Sequence, residues 1–297
     1  MAGKIEKLTF VNQRGDSVEF SHTSIYHANK VSGLSDVRNA IYSISSMGQD
    51  GDTYLGQRIE SREIEIVGSI NTRNKDHMRE LRRALNRVLN PQYSAILKYE
   101  YGDFVRFIDC KVDNAPVFSR KAIFQDFTIQ LLCLNPFWRE EKETREDIAS
   151  WIGGFEFPTE TGGLEIDDVE KWEVGYRQPS LIVNVFNSGD VKAGIRVDFR
   201  AIGIVVNPSI LNVGTQEFIK FNLTMQAGDV LSIATGYGEK AATLKRSGAE
   251  TDAFRFLDTD STYFQLEVGD NLFRYAAESN LESLEVTIYH NNLYLGV

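Results

Sequence analysis

Residues 58–70 read RIESREIEIVGSI, and residues 74–89, close behind, read NKDHMRELRRALNRVL. In the first stretch Ile59, Ser61, Glu63 and Glu65 are interleaved with Ile64, Ile66 and the later Ile70. A period of two marks a strand with one buried face, and here it predicts one long strand from Ile59 to Ile70. In the second stretch Met78, Leu81, Leu85, Val88 and Leu89 recur at intervals of three and four. That spacing puts them on one face of an amphipathic helix. Asn74 is placed to cap its start, Asp76 lies in the first turn where the helix dipole favours an anion, and Asn90-Pro91 ends it. The outward face carries Lys75, Arg79, Arg82, Arg83 and Arg87 against only Asp76 and Glu80.

Working outward, three more strand patterns follow the helix: SAILKYEY from Ser94, FVRFIDCKV from Phe104 and FQDFTIQLLCL from Phe124. Tyr101-Gly102-Asp103 is a turn signal between the first two. The N-terminal part is therefore expected to be a β-sandwich-like domain with one inserted amphipathic helix. After Trp138 the composition changes. Residues 139–147 (REEKETRED) are almost continuously charged, and residues 151–163 mix Gly, Pro and Thr with aromatics, as a linker or crossover does. From Ser180 onward about nine short strand patterns recur with turn residues between them, among them AGIRVDFRA, STYFQLEV and SLEVTIYH. That spacing, without a helical period, predicts a β-sandwich or jelly roll. The chain has 297 residues, at the upper edge of what one core serves, so two domains are expected. The boundaries read as 1–140 for a first domain, 141–175 for a linker or crossover, and 176–297 for a second domain.

Hydrophobic residues make up 42% and charged residues 25% of the chain, the balance of a globular protein. No run approaches the ~20 apolar residues that span a bilayer, and the start MAGKIEKLTF lacks the apolar core of a signal peptide. No membrane partner and synthesis in a cytoplasm are expected. A formal net charge of -10 argues against specific nucleic-acid binding, which draws its affinity from a basic face. Cys110 and Cys133 each sit in an apolar, strand-like run, so buried free thiols are expected.

Motifs for chemistry are sparse. Residues 236–241 (GYGEKA) match a dinucleotide-loop glycine pattern, but strand-like residues flank them where a helix would be needed, and a hairpin turn is expected instead. His22, His27, His77 and His290 are not at metal-ligand spacing. Asp50-Gly51-Asp52 lacks the further oxygens of a calcium loop, and Asp167-Asp168 reads likewise as a loop. No Ser, Cys or Thr lies in a nucleophile motif such as G-x-S-x-G. No catalytic, cofactor-binding or metal-binding residue is assigned, and no cofactor is expected.

Three features together resemble the siphophage tail component family, the distal tail proteins of bacteriophages. They are the early strand-rich region with its one helix ending in NP and its paired strands, the domain close Leu132-Cys133-Leu134-Asn135-Pro136-Phe137-Trp138, and the chain end, where Gly269-Asp270-Asn271 precedes a strand and VTIYHNNLYLGV follows. The resemblance implies a non-enzymatic structural subunit of a virion tail tip or baseplate. It implies a hexameric ring formed through the N-terminal domain and a galectin-like C-terminal β-sandwich facing outward. The ring would join the tail tube to tail-tip and receptor-binding proteins, in a phage or a prophage-derived particle. A ring subunit presents two different surfaces to identical neighbours. The long strand and the basic helix offer them, with Arg79, Arg83 and Arg87 as candidate interface residues facing an acidic neighbour. The alternative is a carbohydrate-binding β-sandwich module, with saccharide stacking on Trp151, Trp172 and Tyr176 near the domain boundary, although linker packing accounts for these aromatics as well. A wall-polymer hydrolase is a third class.

Overall fold

Apolar and polar residues alternate along the strands that build the two cores, and that alternation decides which face of each main sheet is buried. The computed structural model describes residues 6–72, 74–119, 124–148, 150–153, 175–178 and 182–297. They divide into two units, Met1–Lys142 with Leu293–Val297, and Glu143–Asn292.

The first unit starts with β1 (Glu6–Asn12), β2 (Ser17–Ser21), β3 (Tyr26–Ser32), β4 (Asn39–Ile44) and β5 (Thr53–Ile59). It continues with β6 (Arg62–Asn71), α1 (Lys75–Val88), β7 (Ser94–Tyr101), β8 (Phe104–Phe118), β9 (Phe124–Cys133) and β10 (Trp138–Arg139). The main sheet runs β10-β8-β7-β1-β2-β3-β6-β9, and β9 pairs back onto β8. β8 makes this closure because it is long: its first half pairs with β7 and its second half with β9. What reads in sequence as sandwich-like layers is thus one sheet closed on itself, which removes most of its edges. Its inside is filled by Leu8, Phe10, Phe20, Ile66, Leu97 and Phe127, all buried, and Leu85, Val88 and Leu89 from the helix side join the same cluster.

The expected single strand from Ile59 to Ile70 is two strands. Among the described residues β5, which ends at Ile59, pairs only with β4, whereas β6 begins at Arg62 and lies between β3 and β9. The chain changes partner at Glu60, whose amide donates to the Arg38 carbonyl (2.9 Å), and Arg62 then turns its side chain inward.

The second unit opens with β11 (Thr144–Asp147), β12 (Ser150–Gly153), β13 (Gly175–Gln178), β14 (Ile182–Asn187), β15 (Ile195–Ala201) and β16 (Val205–Val206). β17 (Ser209–Asn212), β18 (Phe218–Lys220), β19 (Thr224–Met225), β20 (Val230–Ala234), β21 (Ala241–Arg246) and β22 (Ala249–Asp252) follow. It ends with β23 (Gly269–Ala276) and β24 (Leu284–His290), after which β25 (Leu293–Tyr294) returns to the first unit. A six-stranded sheet β11-β24-β15-β20-β21-β22 and a four-stranded sheet β14-β23-β17-β18 each bury one face. Val197, Phe199, Leu231, Ile233 and Ile288 point inward from the first, and Val185, Ile210, Ile219, Phe273 and Tyr275 from the second. This is the layered β architecture expected of the C-terminal half.

Three details differ from the sequence expectation. Within 141–175, residues 144–147 form β11 and pair with β24 along its length, while 154–174 lie outside the described residues. The charged run is compatible with a strand because its side chains pair at the surface: Arg139 with Asp109, Arg145 with Asp147, and Glu143 with Arg196. Leu293–Val297 belongs to the first unit, where Tyr294 pairs with Trp138, lies under the Arg106 guanidinium (4.0 Å) and donates to Glu140 (2.7 Å). STYFQLEV is no ladder strand. Phe264 and Leu266 are buried as its alternation implies, but only Leu266 makes a bridge, to Ala193.

Candidate assembly surfaces

α1 begins where Asn74 accepts hydrogen bonds from the amides of Asp76 (2.9 Å) and His77 (3.4 Å), as its capping position requires. Leu85 and Val88 are buried, and Met78 and Leu81 pack partly buried against the same core. Two side chains clamp the helix backbone: Tyr26 donates to the Leu81 carbonyl (2.9 Å) and Asn12 to that of Val88 (3.1 Å). With one face so fixed, Arg79, Arg83 and Arg87 fall four residues apart on the opposite face, all exposed. Arg87 has Asp16 at 3.9 Å, a surface pair of small energetic weight, and neighbouring Arg82 lies over the Phe118 ring at 4.7 Å. The structure therefore brings the three candidate residues into one stripe.

A second surface escaped the sequence reading. β4 and β5 form a hairpin that pairs with nothing else among the described residues. Its apolar residues are in solvent: Ile41 is 64% exposed, Leu55 65% and Ile44 52%, with Tyr42, Met47 and Tyr54 beside them. The signal was present as two apolar-containing runs, NAIYSI and TYLGQRI, around the Gly-containing segment QDGD. Asp50-Gly51-Asp52 lies at the hairpin end. Asp52 accepts from the hydroxyls of Ser45 (2.6 Å) and Ser43 (3.1 Å), and these bonds hold its carboxyl below the usual carboxylate range.

A third feature is internal. Arg62, on the buried face of β6, is 3% exposed. Its guanidinium donates to the carbonyls of Pro136 (2.7 Å), Gly33 (2.8 Å), Leu34 (2.8 Å) and Leu295. Four chain segments are thereby tied by one side chain, and Trp138 adds a bond to Leu34 (2.9 Å). Burial pushes the Arg62 pKa down, yet a guanidinium starts so high that it stays charged.

Other candidate residues read as structural. Residues 236–241 connect antiparallel β20 and β21, with no helix after them. His22 and His27 come together (ring centroids 5.2 Å), with His27 Nδ1 3.0 Å from the His22 carbonyl. Among the described residues no group of three His, Cys, Asp or Glu is arranged to hold a metal ion. Both cysteines are buried and unbridged, and burial raises their pKa, that of Cys133 to about 12. Asp167, Asp168 and Trp172, and the side chains of Trp151 and Tyr176, lie outside the described residues.

Comparison with known proteins follows the same division of the chain. The family profile of the phage tail protein RIFT-related domain matches residues 13–133, and that of the siphovirus-type tail component C-terminal domain matches residues 188–294. A mostly β chain with these two domains in succession is a phage tail component. Among solved structures, the Dit protein of phage SPP1, described as a paradigm of the hub adsorption apparatus of phages infecting Gram-positive bacteria, superposes with a TM-score of 0.69 at 13% identity. The match covers 96% of this chain and 98% of that one. The chain belongs to the siphophage distal tail protein family. A chain of the phage P2 baseplate in its activated conformation with calcium gives a TM-score of 0.49 at 12% identity, covering 96% of this chain and 97% of that one. No curated protein sequence matches.

Proposed function

We propose that this chain is a non-enzymatic hub subunit at the tail tip or baseplate of a phage or phage-like particle. Made in the host cytoplasm, it closes into a hexameric ring through its first unit and joins the tail tube to tail-tip and receptor-binding proteins. Family membership and the full-length likeness to a hub protein support the tail-tip role. The observation that carries the ring is the β4–β5 hairpin, because six large apolar side chains standing in water on one two-stranded arm mark a contact surface. The basic stripe of α1 is a different surface on the same unit, and closure by rotation needs two unlike surfaces that meet. The net charge of -10 keeps the wall of such a ring from binding DNA.

Native mass spectrometry and electron microscopy of the purified protein, alone and with tail-tube subunits, test this reading. Six copies of a 33.6 kDa chain give a species of about 200 kDa with a central opening. A monomer or dimer that persists at high concentration and in the presence of tube subunits overturns the ring.

A further inference from the structure

Among the described residues the β4–β5 hairpin pairs with no other strand, so its direction is set at its root, where residues 33–38 lead in from β3 and residues 60–61 lead out to β6. A two-stranded hairpin is marginal by itself, and what fixes the root fixes the arm. The Glu60 amide joins the two limbs through the Arg38 carbonyl (2.9 Å). Arg62, the first residue of β6, joins them again by donating to the carbonyls of Gly33 and Leu34 (each 2.8 Å). Gly33 has a positive φ of 86°, and a Cβ there would collide with the Glu63 carbonyl, so the limbs meet backbone to backbone. A third segment closes on this root from far along the chain. Leu293–Val297 belongs to the first unit although the whole of the second, Glu143–Asn292, precedes it. The Leu295 carbonyl accepts from Arg62 Nη2, and that of Val297 accepts from the Ser35 hydroxyl (3.1 Å). Gly296 lies so near that a Cβ would stand 3.1 Å from Ser35 Cα. Tyr294 anchors the segment from the other side, through Trp138, Arg106 and Glu140.

We propose that residues 293–297 are a latch that holds the hairpin in its ring-forming position. This rests on the reading of the hairpin as a ring contact. Arg62 is buried, and its donors are met by four carbonyls, one of them from the latch. A buried donor left without an acceptor costs more than the net worth of the bond it made. With Leu295 withdrawn, Nη2 regains a partner only when water enters or the guanidinium turns, and turning it disturbs its bonds to Gly33 and Leu34. Withdrawal of Val297 releases Ser35 on the same limb. The latch therefore acts first on the limbs of the hairpin. Because it follows the second unit in sequence, and domains fold in order as they are made, the hairpin is set only after the second unit exists. Ring assembly by half-made chains is thereby disfavoured.

The test compares variants of the whole chain by amide hydrogen exchange and by native mass spectrometry with tail-tube subunits. Gly296→Leu drives a side chain into Ser35, and Tyr294→Ala removes the anchor. Both should speed exchange of the Glu60 amide about tenfold while the amides of β7 stay as protected as in the parent. Both should also raise the concentration for half-maximal ring formation about tenfold. Ser35→Ala deletes only the bond to Val297 and should act in the same direction by about threefold, which keeps the test decisive if the other two unfold the unit. Ile41→Ser combined with Leu55→Ser is the reference, because it alters the arm and not the root, and it should abolish rings with exchange at Glu60 unchanged. If that variant forms rings as the parent does, the hairpin reading itself falls and the latch falls with it. If it forms none while Gly296→Leu, Tyr294→Ala and Ser35→Ala assemble like the parent, the latch alone is overturned. Faster exchange throughout β7 in Ser35→Ala, with no selective change at Glu60, would equally overturn it, since a merely loosened barrel behaves that way.

Discussion

Gly68 shows how closely one position of β6 is specified. A Cβ there would stand 2.4 Å from Phe127 Cζ and 2.5 Å from the His27 carbonyl oxygen. The backbone of β3 and a buried ring on β9 converge on it from both sides. Gly68→Ala should therefore destabilise the first unit by about 1–3 kcal/mol, as overpacking does. A urea unfolding midpoint that does not move would show the ring of Phe127 swinging away freely. In sequence this glycine is only an interruption of an alternating strand. Arg62 was equally hidden, because a charged residue between Ser61 and Glu63 in RIESREIEIVGSI reads as solvent-facing. Its burial depends on carbonyls contributed by residues 33, 34, 136 and 295, and no local pattern announces such distant partners.

At the scale of elements, local signals were legible wherever local physics decides. The helix, its Asn74 cap and the turn at Gly102 rest on spacing, capping and a positive φ, and each stands where the sequence puts it. The helix face is graded: Leu85 is fully buried, whereas Leu81 is only partly so. Leu85→Ala should therefore cost about 2–5 kcal/mol in chemical denaturation, and Leu81→Ala distinctly less. Equal losses would show a cavity at both sites. What stayed illegible were partner choices, as with the β5–β6 break and the hairpin, because alternation names a face but not a neighbour. Another such choice is the Asp229–Arg246 pair, which joins the turn before β20 to β21 at 2.6 Å. Burial alone would raise the Asp229 pKa, but hydrogen bonds from Arg246 and the Gln226 amide outweigh it and leave the pKa lowered. The unfolded chain then binds the proton more tightly. The stabilisation is complete above the unfolded value of about 3.9 and disappears as pH falls through the folded one. Melting temperature followed from pH 6 to about pH 3 should fall less steeply in Asp229→Asn than in the parent, starting from a lower value. Parallel curves would remove Asp229 from the acid limb.

For the whole molecule, function rests on contacts between copies, which one chain's sequence carries only as surface chemistry. The basic stripe Arg79, Arg83, Arg87 is exposed, and the helix beneath it is anchored by Leu85, Val88, Tyr26 and Asn12, none of which the stripe supports. Reversing all three arginines to glutamate should thus leave the melting temperature of the isolated chain within the small range typical of surface changes. If the stripe faces an acidic surface of a neighbour, the change replaces attraction by repulsion at three points and the ring should weaken. Salt screens such contacts over a Debye length of about 8 Å near physiological ionic strength and about 3 Å at 1 M. The assembly defect of the triple variant should therefore shrink as salt rises, while the parent ring loses part of its own stability. The β4–β5 hairpin predicts the opposite dependence, because burial of Ile41, Ile44 and Leu55 is not screened and is strengthened by excluded salts such as sulfate. Sedimentation velocity of parent, triple variant and an Ile41→Ser, Leu55→Ser variant across a salt series separates the two contacts. Charge reversal that leaves assembly unchanged at low salt would take the helix out of the interface and leave the hairpin as its main contact.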